Sequence, residues 1–118
     1  MEDQRGRWLL YGPHAQSASE LPLSGAVDGK PVNGVLDRTF IDQQGVRWIV
    51  DYKTGTHAGS DLDAFMDREQ LRYQPQLERY AVLLSGLEQV ETRLALYFPL
   101  HRGWREWAPG EPPPLVRT

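Results

Sequence analysis

The chain has 118 residues, which is enough for one domain with a modest core. Hydrophobic residues make up 40% and charged residues 25% of the sequence, and these proportions exclude a wholly disordered, collagen-like or coiled-coil protein. The net charge of −3 argues against a free-standing nucleic-acid binder, because such proteins usually carry a basic excess that neutralises phosphates.

Two further exclusions concern location and metal chemistry. No apolar run is long enough to span a bilayer and the N-terminus has no signal-peptide pattern, so we expect a cytoplasmic protein without membrane contacts. The lack of cysteine excludes disulfides and thiolate metal sites. A bound metal would therefore rest on carboxylates, histidine, carbonyls or water, which suits hard ions such as Mg²⁺ or Mn²⁺.

The first half of the chain predicts strands joined by tight turns. Residues 7–11 are apolar and followed by Gly-Pro, which predicts a strand there and no helix before Trp8. Residues 20–27 and 30–42 are separated by Asp-Gly, a pair that is typical of a two-residue hairpin turn. Residues 46–53 are rich in β-branched and aromatic side chains and predict the strongest strand. The last three strands would form an antiparallel meander.

The second half of the chain predicts helical structure. Helical spacing of apolar residues begins near residues 62–66. Pro75 is expected to break a continuous helix, because proline lacks the backbone N–H that a helix interior needs. The main helix is therefore predicted over residues 75–85, ending at Gly86 as its C-cap.

The chain ends in a predicted hairpin and a proline-rich segment. Residues 93–98 and 104–107 read as the two strands of a closing hairpin. Residues 108–118 contain four prolines and predict a flexible tail. No change of composition inside the chain indicates a linker, so residues 1–118 are expected to form a single domain.

The register of the meander brings two acids together. If residues 43–45 form a three-residue loop with Gly45 in the left-handed conformation, the hairpin register places Asp37 directly opposite Asp51. Lys53 follows Asp51 by two residues on the same face. Aspartates in directly opposed positions have Cβ atoms about 5 Å apart, and their carboxylates repel each other. A divalent metal ion is a cation that would compensate this repulsion. This Asp–Asp–Lys group is suited to metal-dependent phosphodiester hydrolysis; the alternative is three solvated residues on an open sheet face.

Three blocks of residues carry a resemblance to a known family. They are Gly-Val-Leu-Asp-Arg at 34–38, Ile-Val-Asp-Tyr-Lys-Thr-Gly at 49–55, and the segment 73–80. In this order they resemble the nuclease domain of the RecB and AddA type, which belongs to the PD-(D/E)xK, or restriction-endonuclease-like, superfamily. The resemblance covers residues 20–80, and it implies an α/β fold: a mixed sheet that starts with an antiparallel meander and is flanked by helices.

The resemblance also implies roles for residues of the site. Asp37 and Asp51 would bind Mg²⁺ together with the carbonyl of Tyr52, Mn²⁺ could substitute for Mg²⁺, and Lys53 would be the catalytic lysine. Glu20 resembles an acid that reaches the metal in many members of the family. An ordinary surface residue at the start of a strand explains Glu20 equally well.

A helix motif of the family, Gln, three residues, then Tyr, matches Gln76 and Tyr80. Spacing of four places both side chains on one helix face, where they could contact DNA or brace the site. The alternatives are a solvated Gln76 and a Tyr80 packed in the core. Arg38 and Arg72 are candidates for phosphate contacts, the alternative being a solvated helix face for Arg72.

One departure from the family concerns the N-terminus. RecB-type domains usually carry a first helix with a metal-binding histidine, and this sequence predicts neither; His14, in a loop, cannot be matched to that histidine. We therefore expect a domain that lacks the usual first helix, from the C-terminal part of a larger helicase-nuclease. A chain tethered to a helicase need not hold DNA by its own charge, so the net charge of −3 then predicts weak DNA affinity for the isolated chain.

The resulting functional hypothesis is metal-dependent hydrolysis of DNA by the exonuclease or endonuclease domain of a helicase-nuclease of DNA repair and recombination. Its partners would be DNA, in single-stranded form, and a helicase domain or subunit. One alternative is a non-catalytic, nuclease-like module for docking or DNA binding. Another is a stand-alone resolvase or restriction-type nuclease that cuts duplex DNA.

Overall fold

The computed structural model describes residues 4–12, 14–55, 61–85 and 90–115, and for Tyr11 and Ser85 it describes the backbone alone. The helices and strands in this part of the chain are α1 (Gln4–Tyr11), β1 (Ala15–Val27), β2 (Lys30–Ile41), β3 (Arg47–Tyr52), α2 (Leu62–Ser85), β4 (Thr92–Phe98) and β5 (Gly103–Trp107). A short 3-10 turn at Pro99–His101 joins the last two strands.

The strands form one five-stranded sheet in the order β1-β2-β3-β4-β5. Strands β3 and β4 are parallel and joined by the crossover helix α2, whereas the other neighbours are antiparallel. The predicted fold class is confirmed: an α/β domain whose mixed sheet starts with an antiparallel meander and is flanked by helices.

The prediction for the N-terminus is wrong. Residues 7–11 are not a strand but part of helix α1, so the domain does have a helix before the sheet. Gly6 and Leu9 are buried whereas Leu10 is half exposed, a three-residue spacing that fits a helix and not the alternation of a strand. A segment this short has little intrinsic preference for helix over strand. The contact of one of its sides with the sheet decides its conformation.

The two turns of the meander have the predicted chemistry. Asp28 and Gly29 have φ angles of 52° and 77°, the two positive values of a type I′ turn, which matches the twist of the flanking strands. Gly45 has a φ of 83° in the next turn. That turn fixes the register that pairs Arg38 with Val50, so the predicted register of β2 on β3 is confirmed.

Helix α2 runs without interruption from Leu62 to Ser85, so the predicted break at Pro75 is wrong. Pro75 is exposed, and its ring removes one hydrogen bond, to the carbonyl of Leu71, at a cost of about 3 kcal/mol. Burial of large side chains on both sides of Pro75 offsets that cost, at about 1.5–3 kcal/mol for each. These residues are Met66, Leu77 and Tyr80. Gly86, the predicted C-cap, lies outside the described residues.

The sheet separates two hydrophobic clusters. The cluster on the α2 face contains Val32, Leu36, Ile49, Met66, Leu77, Tyr80, Ala81, Leu94, Leu96, Phe98 and Trp107. The cluster on the α1 face contains Leu9, Phe40, Trp48, Val50 and Ala95. Neither described helix is long and apolar enough to cross a membrane.

The segment predicted to be a flexible tail, 108–118, makes specific contacts with α2 in its described part. The side chain of Gln74 donates a hydrogen bond to the carbonyl of Glu111 at 2.7 Å. The amide of Gly110 donates to the carboxylate of Glu78 at 2.5 Å. The start of this segment is therefore attached to the middle of α2.

Candidate active site

Asp37 and Asp51 lie where strands β2 and β3 separate. The last backbone pair between these strands is Arg38 with Val50, and the two aspartates occupy the next position along the same register. A carboxylate oxygen of Asp37 accepts a hydrogen bond from the amide of Tyr52 at 2.8 Å, and the carboxyl groups of the two aspartates share a hydrogen bond. The structure therefore brings the two acids into direct contact.

This contact changes the acidity of Asp51. Burial, and after it the hydrogen bond with Asp37, raise its pKa from the ordinary value of 3.8 to about 6. The ammonium of Lys53 acts in the opposite direction, at 2.6 Å from a carboxylate oxygen of Asp51. Despite this ion pair the pKa stays raised, so additional positive charge at the two carboxylates is favourable.

The position of Lys53 depends on both the sheet and α2. Its backbone amide donates to the carbonyl of Tyr97 on β4 at 2.8 Å, which continues the parallel pairing beyond the end of β3. Its ammonium lies over the ring of Tyr73, 3.2 Å from the ring centroid, and the guanidinium of Arg72 lies 5.2 Å from the same centroid. The lysine side chain is 16% exposed. The sequence reasoning missed Tyr73 as a site residue, although it precedes Gln76 by one helical turn.

Gln76 and Tyr80 meet on α2, as their spacing predicts, and the amide of Gln76 donates to the hydroxyl of Tyr80 at 2.8 Å. Tyr80 is buried in the α2-face cluster and also lines the cavity beside Asp37 and Asp51. A Cβ atom at Gly34 would collide with the Tyr80 hydroxyl, which explains why the strand carries glycine there.

A small cavity of about 30 Å³ lies between α2 and the ends of β2 and β3. Its lining residues are Val35, Leu36, Asp37, Ile49, Val50, Asp51, Gln76, Leu77 and Tyr80. This volume has room for one or two water-sized groups. A cavity of this size beside two carboxylates in contact fits a hard divalent cation, which takes oxygen ligands and completes its coordination with water.

Glu20 is not brought into this cluster. It is exposed, has a φ of 52°, and lies between the pairs Ser19 with Arg38 and Leu21 with Leu36, at the level of Asp37 on the neighbouring strand. Across the described ranges, no group of three or more His, Cys, Asp or Glu side chains has the geometry to hold a metal ion. In the described residues the oxygen atoms available at this cavity are therefore those of the two carboxylates and of nearby backbone carbonyls.

Arg38 lies on the α1 face of the sheet, away from Asp37, and its predicted phosphate contact stays a prediction. Its guanidinium donates to the carbonyl of Leu9 at 3.3 Å and to the hydroxyl of Ser19 at 3.1 Å, and it lies over the ring of Phe40. These contacts tie α1 and β1 to the sheet. The cause is the two-residue period of a strand, which directs Arg38 away from the side that Asp37 faces.

His14 is also a structural residue of the α1 face. One ring nitrogen lies 2.6 Å from the carbonyl of Trp8, and the ring stacks on Phe40 with centroids 3.8 Å apart. Helix α1 itself contains no histidine. In the described chain, the carboxylate cavity on the α2 face thus has no histidine from this region.

Comparison with known proteins places the chain in a family. No curated protein matches it. A solved structure, described as the crystal structure of SSO0001, aligns with a TM-score of 0.44 and 18% identity over 93% of this chain and 49% of that one, so the chain spans about half of that protein. The family model for the PD-(D/E)XK nuclease superfamily, whose members are generally nucleases that use divalent metal ions, matches residues 5–110. That range includes both carboxylates and the lysine beside them, and the chain belongs to the PD-(D/E)XK nuclease superfamily.

Proposed function

We propose that this domain hydrolyses phosphodiester bonds of DNA at the site formed by Asp37, Asp51 and Lys53, with Mg²⁺ as its cofactor and Mn²⁺ as a substitute. The observation that carries the proposal is the contact of two carboxylates from neighbouring strands beside an ammonium 2.6 Å from one of them. Membership of a superfamily of nucleases supports it independently.

Asp37, Asp51 and the carbonyl of Tyr52 are the groups proposed to hold the cation. When bound, the cation supplies a positive charge that neutralises the carboxylates and stabilises negative charge on a phosphoryl oxygen. The amide of Tyr52, at 2.8 Å from the carboxylate of Asp37, fixes the direction of that carboxylate before the cation arrives. Because its pKa is raised, Asp51 is partly protonated near pH 6, and binding of the cation is coupled to loss of that proton.

Lys53 is proposed to orient the attacking water and the scissile phosphate. An ammonium has three N–H donors, and its ion pair with Asp51 leaves others for a water molecule or a phosphoryl oxygen. The pair of Gln76 and Tyr80 lines the adjacent cavity, and the hydroxyl of Tyr80 lies against Gly34 of β2. The side chains around the reacting groups are thus held by the sheet on one side and by α2 on the other.

Exposed arginines on α2 are the proposed contacts for the phosphate backbone. Arg68, Arg72 and Arg79 are all exposed and lie within about 40° of one another around the helix axis. In the described part of the chain Arg68 and Arg79 make no ion pair, whereas Arg93 and Arg105 are paired with acids of the domain. These arginines lie along the helix that carries Tyr73, Gln76 and Tyr80. A DNA strand bound by them would therefore pass close to the carboxylates.

The biological setting proposed from the motif resemblance is a RecB- or AddA-like helicase-nuclease of DNA repair and recombination. The substrate would be unwound single-stranded DNA, and the partner a helicase domain or subunit. Helix α1 is present but contains no histidine, so this feature and the net charge of −3 are what favour the non-catalytic alternative. The resolvase or restriction-type alternative predicts cutting of duplex DNA and is distinguished by comparing duplex with single-stranded substrates.

Cleavage of labelled single-stranded DNA by the purified chain, with Mg²⁺ or Mn²⁺, tests the proposal. Asp37→Asn, Asp51→Asn and Lys53→Ala should each lower the rate by about 100-fold or more. Asp28→Asn is the matched control, because it removes the same charge as the two other Asn variants from an exposed turn where Asn-Gly is equally favourable. Equal cleavage by all variants would refute the assigned site.

Calorimetric titration with Mn²⁺ separates the catalytic proposal from a non-catalytic module. The wild-type chain and Asp28→Asn should bind the ion, and Asp37→Asn should not. A wild-type chain that binds neither Mn²⁺ nor Mg²⁺ at millimolar concentration would favour the docking module, since such a module has no need for the two opposed carboxylates to hold a cation.

A further inference from the structure

We propose that Tyr73 is a positioning residue that holds the ammonium of Lys53 beside Asp51. This inference rests on the proposed function for its catalytic consequence, although the contact itself is a property of the fold. The ammonium is 3.2 Å from the ring centroid of Tyr73 and 2.6 Å from the carboxylate of Asp51. Cation–π contacts extend to about 6 Å, so this one is at the close end of the range.

Lys53 needs such a support because of where it stands in the chain. Strand β3 ends at Tyr52. Beyond that end, the backbone amide of Lys53 makes one hydrogen bond to β4. The lysine side chain has four rotatable carbon–carbon bonds, and ordering it costs about 2 kcal/mol of rotamer entropy. If the ion pair with Asp51 were its only support, water could replace the ammonium at the carboxylate. The reason is that Asp51 is itself partly exposed, at 23% of its side-chain surface.

An aromatic ring is suited to this task in a way that a second carboxylate is not. The negative face of the ring attracts the cation without accepting a directed hydrogen bond from any one N–H. The N–H groups that are not paired with Asp51 therefore stay available for a water molecule or a phosphoryl oxygen. A further carboxylate would consume one of them and would add to the charge that already raises the pKa of Asp51.

The ring is itself held by α2. Tyr73 packs on the α2-face cluster, and it lies one turn before Leu77, which is 1% exposed. The contact thus links the helix to the catalytic end of β3. The guanidinium of Arg72, 5.2 Å from the same centroid, does not displace the lysine from its closer position.

The chain offers a direct measurement of this contact because it has only two lysines, Lys30 and Lys53. With ¹³C-labelled lysine, a proton–carbon correlation spectrum shows one ε-methylene group for each. Lys30 is exposed beside the first hairpin turn and serves as the reference. The ring current of Tyr73 should shift the Lys53 ε-protons well upfield of those of Lys30. Tyr73→Phe keeps the ring and should keep the shift, and Tyr73→Leu should abolish it.

Activity and stability measurements complete the test. Tyr73→Leu should lower kcat by about tenfold to a hundredfold with KM changed by less than about threefold, and Tyr73→Phe should restore kcat to within about threefold of wild type. Thermal unfolding of each variant, followed by circular dichroism, excludes loss of α2 as the cause. A purely structural role would lower stability without the selective loss of kcat.

Two results would overturn the proposal. One is a Lys53 resonance that coincides with that of Lys30 in the wild-type chain, or that stays upfield in Tyr73→Leu. The other is an unchanged kcat in Tyr73→Leu while the resonance moves. Failure of the proposed function looks different: the wild-type chain would cleave no DNA, and the spectra would still decide whether the ring fixes the ammonium.

Discussion

Replacing Asp51 by asparagine should stabilise the fold when no divalent cation is present. The raised pKa of Asp51 means that the folded protein prefers this carboxyl protonated, so its ionised form costs stability. The difference between 3.8 and about 6 corresponds to about 3 kcal/mol at neutral pH. Because the carboxylate is partly exposed and screened, we expect a gain of about 1–2 kcal/mol for Asp51→Asn at pH 7.5.

The pH dependence gives the sign of this effect a separate check. Below about pH 3 the carboxyl is largely protonated in the folded and unfolded states alike, so wild type and Asp51→Asn should be equally stable. Between about pH 4 and pH 7 the wild-type chain ionises more readily unfolded than folded, and the gap should open in favour of the variant. Asp28→Asn, from the exposed turn, should show no such gap.

Urea unfolding in EDTA, followed by the fluorescence of the four tryptophans, measures these free energies of unfolding at about pH 3 and at about pH 7.5. Excess Mg²⁺ should reverse the order at pH 7.5, because the cation binds the folded wild type and not Asp51→Asn. If Asp51→Asn were the less stable protein at pH 7.5 in EDTA, the ion pair with Lys53 would outweigh the burial and the contact with Asp37. The electrostatic basis of the metal site would then be refuted.

Three further predictions concern the surroundings of the site. Gly34→Ala should destabilise the domain by about 1–3 kcal/mol in urea unfolding, because its methyl group collides with the Tyr80 hydroxyl. Pro75→Ala should stabilise α2 by up to about 3 kcal/mol in the same assay; a loss of stability would mean that the helix depends on the proline. Arg68→Gln and Arg79→Gln should each weaken DNA binding and reduce the salt dependence of affinity by about one phosphate contact, measured by fluorescence anisotropy. An unchanged salt slope would remove these arginines from the proposed interface.

The contact between the two aspartates could be predicted because local turn chemistry sets the register. Gly45 accepts a φ of 83°, the turn closes, and the pairing of Arg38 with Val50 follows along the ladder. One residue further on, the same register opposes Asp37 and Asp51. No contact between distant segments is needed for this part of the site, since each step depends only on residues of the β2–β3 hairpin.

The features that were not predicted all depend on contacts between distant segments. Eight residues of α1 suit a helix or a strand until one side meets the sheet. Pro75 interrupts a helix in isolation, and the burial of its neighbours on both sides keeps α2 continuous. The position of Tyr73 over Lys53 requires α2 to cross the strand ends at one angle, which sequence spacing does not specify.

The electrostatics of Asp51 support the proposed site more directly than the overall charge does. Asp51 remains partly protonated near pH 6 although an ammonium is paired with it. Such departures persist only where the surrounding fold imposes them, and they collect at functional sites. The net charge of −3 is a sum over all acidic and basic residues. It therefore shows neither the acidic cluster on the sheet nor the exposed arginines of α2. A cation at the carboxylates would remove the repulsion that the fold sustains there, and the exposed arginines of α2 are the proposed contacts for a phosphate backbone.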